Sequence, residues 1–272
     1  MATLVSTKEL AKKYGLLAKR SLGQNFLFDH KITDKIANSN EISGQNILEI
    51  GPGPAGLTRS ILKQNPKKLI VIEQDERAIA LLEEIKTYYP NLEIIHGDAL
   101  KIDENKLFNQ EKFSIIANLP YNIGTVLLFK WLENLKNISS MTLLLQKEVV
   151  QRIVSKENSK KYGRLSVMTN FYCNTKALFD IAAGSFVPAP KVTSSLVQIT
   201  PREKPIADIE FKILSKICAC AFNQRRKMLR SALKSLNVDV EKLLTKCNID
   251  ASLRAEQLEL EDFSNLAKNL NE

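Results

Sequence analysis

Asn118-Leu119-Pro120-Tyr121 ends an apolar run, FSIIA, that has the look of a buried strand. The tetrapeptide puts an amide oxygen, a main-chain carbonyl and an aromatic face around a turn that proline stiffens. Such a set suits one kind of chemistry. An amino group attached to adenine is a poor nucleophile, because its lone pair is delocalised into the ring. Acceptors aimed at its N–H groups favour a pyramidal nitrogen and offset the positive charge that grows as it attacks, which stabilises the transition state selectively. The Asn118 side-chain oxygen and the Leu119 carbonyl are the acceptors available here, and Tyr121 offers a surface for stacking. Taken alone, the four residues read better as a polar turn over a core tyrosine.

Three earlier features shift that balance. Leu48 to Thr58, LEIGPGPAGLT, carries Gly51, Gly53 and Gly56 in a GxGxxG pattern between a strand signal and a helix signal. Glycines there allow a tight turn and let a ligand approach the backbone, although many nucleotide enzymes share the pattern. Glu73 ends the next strand signal, roughly 20 residues on, where a carboxylate can accept from ribose hydroxyls. Asp98, in HGDAL, closes the strand after that and can accept from an adenine amino group. A strand-end carboxylate or a helix cap would explain either acid singly. Both at successive carboxyl edges point to an adenosine-containing cofactor.

The elements that must position these residues alternate. NILEI (46–50), KLIVIE (68–73), LEIIH (92–96), FSIIAN (113–118) and MTLLLQK (141–147) read as strands with helices between them. One helix starts with Pro54 in its first turn, one is capped by Asp75, and one reaches Trp131. This order implies a parallel sheet covered on both faces. RLSVMTNFYCN (164–174) and TSSLVQIT (193–200) are expected as an antiparallel strand pair at the sheet edge, separated by FVPAPK (186–191). After the linker-like PREKP (201–205) the pattern is helical, over 211–222, 225–236, 240–246 and 258–270. The expected organisation is a doubly wound α/β domain over 1–204, with a basic segment at 1–28, and a small all-helical domain over 205–272.

The chain of 272 residues carries a net charge of +9 and only two histidines, His30 and His96. That leaves little support for a Ser-His-Asp hydrolase or a histidine-rich metal enzyme. The four cysteines, Cys173, Cys218, Cys220 and Cys247, lack a paired CxxC spacing and are expected as reduced thiols, with no metal. No apolar run is long enough to span a bilayer, and the first residues lack the features of a secretion signal, so a cytoplasmic protein without a membrane partner is expected. The positive charge favours a polyanionic partner. Lys212 to Lys234 contains seven basic residues and no acidic one. Arg226, Arg230 and Lys234 recur at helical spacing opposite an apolar stripe of Met228, Leu229, Ala232, Leu233 and Leu236. These, with Arg225 and Lys227, are expected to contact RNA phosphates, as are Lys160, Lys161 and Arg164, with a further basic run at Lys8, Lys12, Lys13, Lys19 and Arg20. A solvated helix face is the plainer alternative.

LGQNFL, EIGPGPAGLT, VIEQDERAI, HGDAL, ANLPYNIGTVLL, FVPAPKVTS and AFNQRRKMLRSAL occur in the order seen in ribosomal RNA adenine N6,N6-dimethyltransferases, which the chain resembles from Gly23 to Leu233. The resemblance is to the type acting on two adjacent adenosines near the 3′ end of small-subunit RNA. It implies a Rossmann-like class I methyltransferase sheet and S-adenosylmethionine as cofactor. It also implies cofactor contacts at Asn25, Leu27, Gly51, Gly53, Glu73, Asp98 and Asn118. Asn118 to Tyr121 would hold the target adenine, with Phe186 stacking on its other face. The implied partners are small-subunit ribosomal RNA and the immature small subunit, met by a monomer with a role in subunit assembly. Three rivals remain at this point: a large-subunit RNA methylase of the antibiotic-resistance type, a nicotinamide-dependent oxidoreductase, and an assembly factor whose chemistry is secondary.

Overall fold

The computed structural model describes residues 5–18 and 24–270. Lys19, Arg20 and the start of the LGQNFL segment lie outside the described residues. The chain forms two compact units, Met1–Lys147 with Ala177–Thr200, and Glu148–Lys176 with Pro201–Glu272. The expected single boundary at 204/205 is therefore replaced by an interleaved division, in which residues 148–176 join the C-terminal helices.

In the first unit α1 (Thr7–Lys13) begins with a capping box between Ser6 and Glu9. A two-residue strand β1 (Phe26–Leu27) and α2 (His30–Ala37) follow. Then come β2 (Asn46–Ile50), α3 (Gly56–Leu62), β3 (Lys68–Glu73), α4 (Glu76–Lys86) and β4 (Leu92–His96). The series continues with β5 (Phe113–Asn118), α5 (Gly124–Glu133) and β6 (Ile138–Gln146). Chain order next gives α6 (Lys147–Ile153) and α7 (Arg164–Tyr172), then β7 (Cys173–Ile181), β8 (Phe186–Val187) and β9 (Ser194–Pro201).

The seven-stranded sheet has the order β4-β3-β2-β5-β6-β9-β7. Strands β4, β3, β2, β5 and β6 pair in parallel, and β9 joins β6 antiparallel. All of β2 and most of β3 and β5 are buried, as expected for strands covered on both faces. The chain steps outward from β2 to β3 and β4, then returns to place β5 on the other side of β2. That reversal opens a crevice at the carboxyl ends of β2 and β5, where ligands of such sheets bind. Beside it β1 pairs antiparallel with β8, Phe26 opposite Val187 and Leu27 opposite Phe186.

In the second unit α7 lies with α8 (Phe211–Asn223), α9 (Leu229–Ala232), α10 (Val240–Lys246) and α11 (Leu260–Asn269). Phe222 stacks on Phe263 and meets Tyr162 edge-on. Residues 164–172 form a helix where a strand is expected. The Ser166 hydroxyl accepts from the Gly163 N–H at the first turn, and Val167, Met168 and Phe171 are fully buried. Burial of that helical face overrides the strand preference of the β-branched and aromatic residues. The edge strand that does form is β7, which starts at Cys173.

Two other expectations shift. Residues 225–236 are not one helix. The chain turns at 224–227, Met228 is extended, and α9 leads into a 3-10 turn at Leu233–Leu236. The Leu229 and Arg230 N–H groups donate to Leu253 and Ala251 carbonyls, which starts the short helix there. Pro54 lies in a turn before α3 rather than in its first turn, because Ala55 at φ 64° reverses the chain just ahead of Gly56.

Candidate active site

The glycine loop joins β2 to α3, and its glycines are required by what lies against them. Gly53 has φ 52°, and a Cβ there would sit 2.9 Å from the Phe26 ring. A Cβ on Gly56 would sit 2.6 Å from the Leu27 carbonyl oxygen, a backbone atom that cannot swing aside. The loop is thus shaped to fit under β1, which carries the Asn25 to Leu27 segment.

Glu73 is the hub between this loop and α4. Its carboxylate accepts from the Gly53 N–H at 3.1 Å, and from the Gln74 and Asp75 N–H groups at 2.8 and 3.0 Å. Three main-chain donors fix its orientation at 7% exposure, leaving lone-pair directions toward the crevice. Asp75 caps α4 through the Arg77 N–H and pairs with the Arg77 guanidinium at 2.6 Å. Arg77 also donates to the Gly15 and Leu17 carbonyls, which ties the N-terminal segment to the strand end. Asp98 accepts from the Leu100 N–H, and that loop is held by Lys130 of α5. Lys130 donates to the Ala99 and Ile102 carbonyls and pairs with buried Glu104, which also accepts from the Trp131 indole.

At the end of β5 the Asn118 Nδ2 donates to the Asn25 carbonyl at 3.1 Å. Only the NH2 side of the amide can meet a carbonyl, so this bond sets which way the side chain points and leaves Oδ1 as an acceptor. Pro120 O accepts from the Ile123 and Gly124 N–H groups and so starts α5. The Tyr121 hydroxyl shares a 2.7 Å hydrogen bond with buried Ser194 on β9. Burial raises the Tyr121 pKa above its ordinary value, so the phenol is neutral at physiological pH.

These groups line one cleft, which encloses about 130 Å³. It brings together Asn25, Gly51, Gly53, Glu73, Asp98, Asn118, Leu119, Pro120 and Tyr121, together with Gln24, Phe26 and Gln74, which the sequence did not single out. Leu27 lines a smaller recess beneath the glycine loop, shared with Phe26, Glu49, Gly51 and Asn118. Phe186 lies apart from both. At 2% exposure it belongs to the core cluster, and as the ladder partner of Leu27 it holds β1 in place.

Charge distribution is the informative property of this cleft. Among the described residues that line the cleft and the recess, Glu49, Glu73 and Asp98 are carboxylic acids and none is Lys, Arg or His. Glu49 is the acid that sequence reasoning missed. A charged residue inside the apolar run NILEI was the available signal. Its side chain is buried and its Oε2 has no hydrogen-bond partner.

The basic residues expected to meet RNA lie in the second unit. Arg225, Arg226, Lys227, Arg230, Lys234, Lys160, Lys161 and Arg164 are all exposed. They do not form one helical face, since Arg226 sits in the turn and Arg230 in α9. Nor is the cluster free of acids: Arg225 pairs with Glu256 at 2.8 Å, and Lys161 lies 4.0 Å from Glu148. Arg164 donates to Ser215. The acids come from segments distant in sequence, which local charge counting cannot register.

Among the described residues no helix is long and apolar enough to cross a membrane, and no group of three His, Cys, Asp or Glu is placed to hold a metal ion. The cysteines are unpaired, and burial pushes the Cys173 thiol up to about 12.

Comparison with known proteins agrees with this geometry. The family model described as ribosomal RNA adenine dimethylase matches residues 15–272. The protein named ribosomal RNA small subunit methyltransferase A of Afipia carboxidovorans is 48% identical over 97% of this chain and 95% of its own length. Its namesake in Bradyrhizobium diazoefficiens is 46% identical over 97% and 94%. Among solved structures, a dimethyladenosine transferase from Plasmodium falciparum superposes with a TM-score of 0.77 at 26% identity, covering 90% of this chain and 97% of that one. The 23S rRNA methyltransferase ErmE shares the fold, with a TM-score of 0.69 at 22% identity over 91% and 100%. With a family model covering nearly the whole chain and relatives this similar along its length, the chain belongs to the ribosomal RNA adenine dimethylase family.

Proposed function

We propose that the protein transfers methyl groups from S-adenosylmethionine to N6 of two adjacent adenosines near the 3′ end of small-subunit ribosomal RNA, giving N6,N6-dimethyladenosine. The carrying observation is the cleft at the strand reversal, where an oriented amide acceptor stands in a site lined by three carboxylic acids and no described base. An anionic lining suits a cofactor bearing a sulfonium and an ammonium. It disfavours a nicotinamide dinucleotide, whose pyrophosphate would meet carboxylates.

Glu73 is placed to accept from the ribose hydroxyls, and Asp98 from the adenine amino group of the cofactor. Gly51 and Gly53 let it lie against the backbone, and Asn25 closes the site beside Asn118. When bound, S-adenosylmethionine supplies an electrophilic methyl group on a good leaving group. Asn118 Oδ1 and the Leu119 carbonyl accept from the target amine and hold it pyramidal as its lone pair turns toward the methyl carbon. Tyr121, neutral and tethered by Ser194, presents its ring face to the base. After the first transfer the methylated nitrogen sheds one proton to solvent and keeps one N–H, so one acceptor suffices to orient it for the second. Phe186 supports this geometry in the present conformation by anchoring β1, and a stacking role on the far face of the base is a further part of the proposal.

The exposed basic residues of the second unit and of α1 are assigned to phosphate contacts, with the target base extruded at a cost of roughly a few kcal/mol. The names of the bacterial relatives favour small-subunit over large-subunit RNA, and the natural substrate is then a partly assembled small subunit in the cytoplasm, met by a monomer. Incubating unmethylated, partly assembled small subunits with the protein and labelled cofactor, then analysing nucleosides of their RNA by mass spectrometry, tests the proposal. The expected product is N6,N6-dimethyladenosine at two neighbouring positions; methylation confined to large-subunit RNA, or none, would overturn it.

A further inference from the structure

The second unit holds a recess of about 320 Å³ that takes no part in the methyl transfer. Tyr162 lines it at 2% exposure, and its hydroxyl has no hydrogen-bond partner. A folded interior rarely leaves such an oxygen unmatched. Burial chiefly, with Cys218 and the acids Glu157, Asp262 and Glu261 adding to it, holds the phenol above its ordinary range. The hydroxyl is therefore neutral at physiological pH and able both to donate and to accept.

Around it stand two bases, Lys156 and Arg202, and three acids, Glu157, Glu259 and Glu261. Among the described residues none of the five is in an ion pair. The loop that carries Lys156 and Glu157 is shaped by other contacts. Asn158 N–H donates to the Glu256 carbonyl, and the Glu256 carboxylate accepts from Arg225 at 2.8 Å. Arg202 donates from Nε to the Asn170 carbonyl at 3.1 Å and keeps its terminal NH2 groups for a ligand. The recess is thus preformed, with charges of both signs unspoken for.

A phosphate does not suit a lining with three carboxylates, and a Lys or Arg side chain does not suit one with two cations. A neutral ligand with a donor edge beside an acceptor edge suits both. Among the RNA bases guanine alone sets two parallel donors, N1–H and N2–H, next to two acceptors, O6 and N7. A carboxylate matches the first pair, and Arg or Lys the second. Leu260 adds an apolar surface, and exposed Lys160 and Lys161 on the same loop are placed for flanking phosphates. We infer that the recess binds one unpaired guanine of the substrate RNA, with Glu157 accepting from its N1–H and N2–H and with Lys156 and Arg202 facing O6 and N7. The inference rests on the proposed RNA substrate. It gives the second unit a base preference, which phosphate contacts alone do not supply.

Fluorescence anisotropy of the full-length protein with labelled RNA hexamers at low salt tests it. An all-uridine strand is compared with strands carrying one internal guanosine, adenosine, cytidine or inosine. The guanosine strand should bind about tenfold tighter than the uridine, adenosine and cytidine strands. Inosine lacks the N2 amino group and should lose about fivefold relative to guanosine. In E157Q the five strands should bind alike, to within about twofold, and Y162F should narrow the guanosine preference. If either variant fails to fold, guanosine against inosine on the wild-type protein still decides. No preference among the strands, no binding by any of them, or a preference that persists in E157Q overturns the inference alone, provided that small subunits are still methylated. A hexalysine peptide that binds the wild-type protein and not E157Q, with no base preference, marks a recess for a basic protein segment and overturns it as well. If no strand binds and small subunits stay unmethylated, the proposed function fails and the inference fails with it.

Discussion

Asn118 does two things with one amide. Its nitrogen side is tied to the Asn25 carbonyl, and this makes its oxygen an acceptor of fixed direction. Asn118→Ala should lower kcat for methyl transfer by roughly 10²–10³-fold, the usual consequence of deleting one preorganised polar group at a reacting centre. Filter binding of labelled cofactor and a single-turnover assay would separate this from an affinity effect; a loss confined to KM would count against the role assigned. Glu49 yields a prediction of opposite sign. Its carboxyl rises from 4.5 to about 8 on folding, so the native state binds more protons than the unfolded chain between those values. Stability contributed by the protonated form is full below about pH 4.5 and is lost progressively as pH rises toward 8. Glu49→Gln removes the dependence, and its unfolding free energy in denaturant should exceed that of the wild type at pH 8.5 by an amount on the order of a few kcal/mol. A variant less stable than wild type at that pH would show that the carboxylate has a native partner.

At the level of elements, α5 connects the acceptor turn to the loop that carries Asp98. The helix starts on Pro120 O, and nearly two turns later its Lys130 grips Ala99, Ile102 and Glu104. Glu104 is 3% exposed, so removing Lys130 leaves a buried charge with only the Trp131 indole for company. Lys130→Met should cost about 3–5 kcal/mol in denaturant unfolding, and adding Glu104→Gln should recover a good part of it. It should also weaken cofactor binding, because the loop bearing Asp98 loses its anchor. The sequence made much of this scale legible. Strands of buried β-branched residues ending in glycine or acid were readable one by one, and their carboxyl ends became the site. Residues 164–172 were not readable, since Val167, Met168 and Phe171 signal burial equally in a strand or a helix. Pairings such as Tyr121 with Ser194, or Arg225 with Glu256, depend on contacts between distant segments and leave no local trace.

For the molecule as a whole, charge is divided by function. The cleft is lined by acids, while the net charge of +9 resides on exposed Lys and Arg. Replacing Arg226, Lys227, Arg230 and Lys234 together by Gln should weaken RNA binding at low salt and reduce the slope of log K against log salt by about 3. Cofactor affinity should stay within twofold of wild type in the same variant, since these side chains lie in the other compact unit. A slope unchanged from wild type would mean that the phosphates are met elsewhere.

The interleaved division of the chain bears on how the protein is made. As synthesis proceeds, α7 emerges with Val167, Met168 and Phe171 ready to pack, but α8 and α11 of the same unit are still to come. The nascent chain must complete β7 and β9 first, carrying an uncovered oily helix at its flank. No cut at one peptide bond yields two self-sufficient fragments. A gene ended at codon 204 would strand that helix for good, and its product belongs in inclusion bodies.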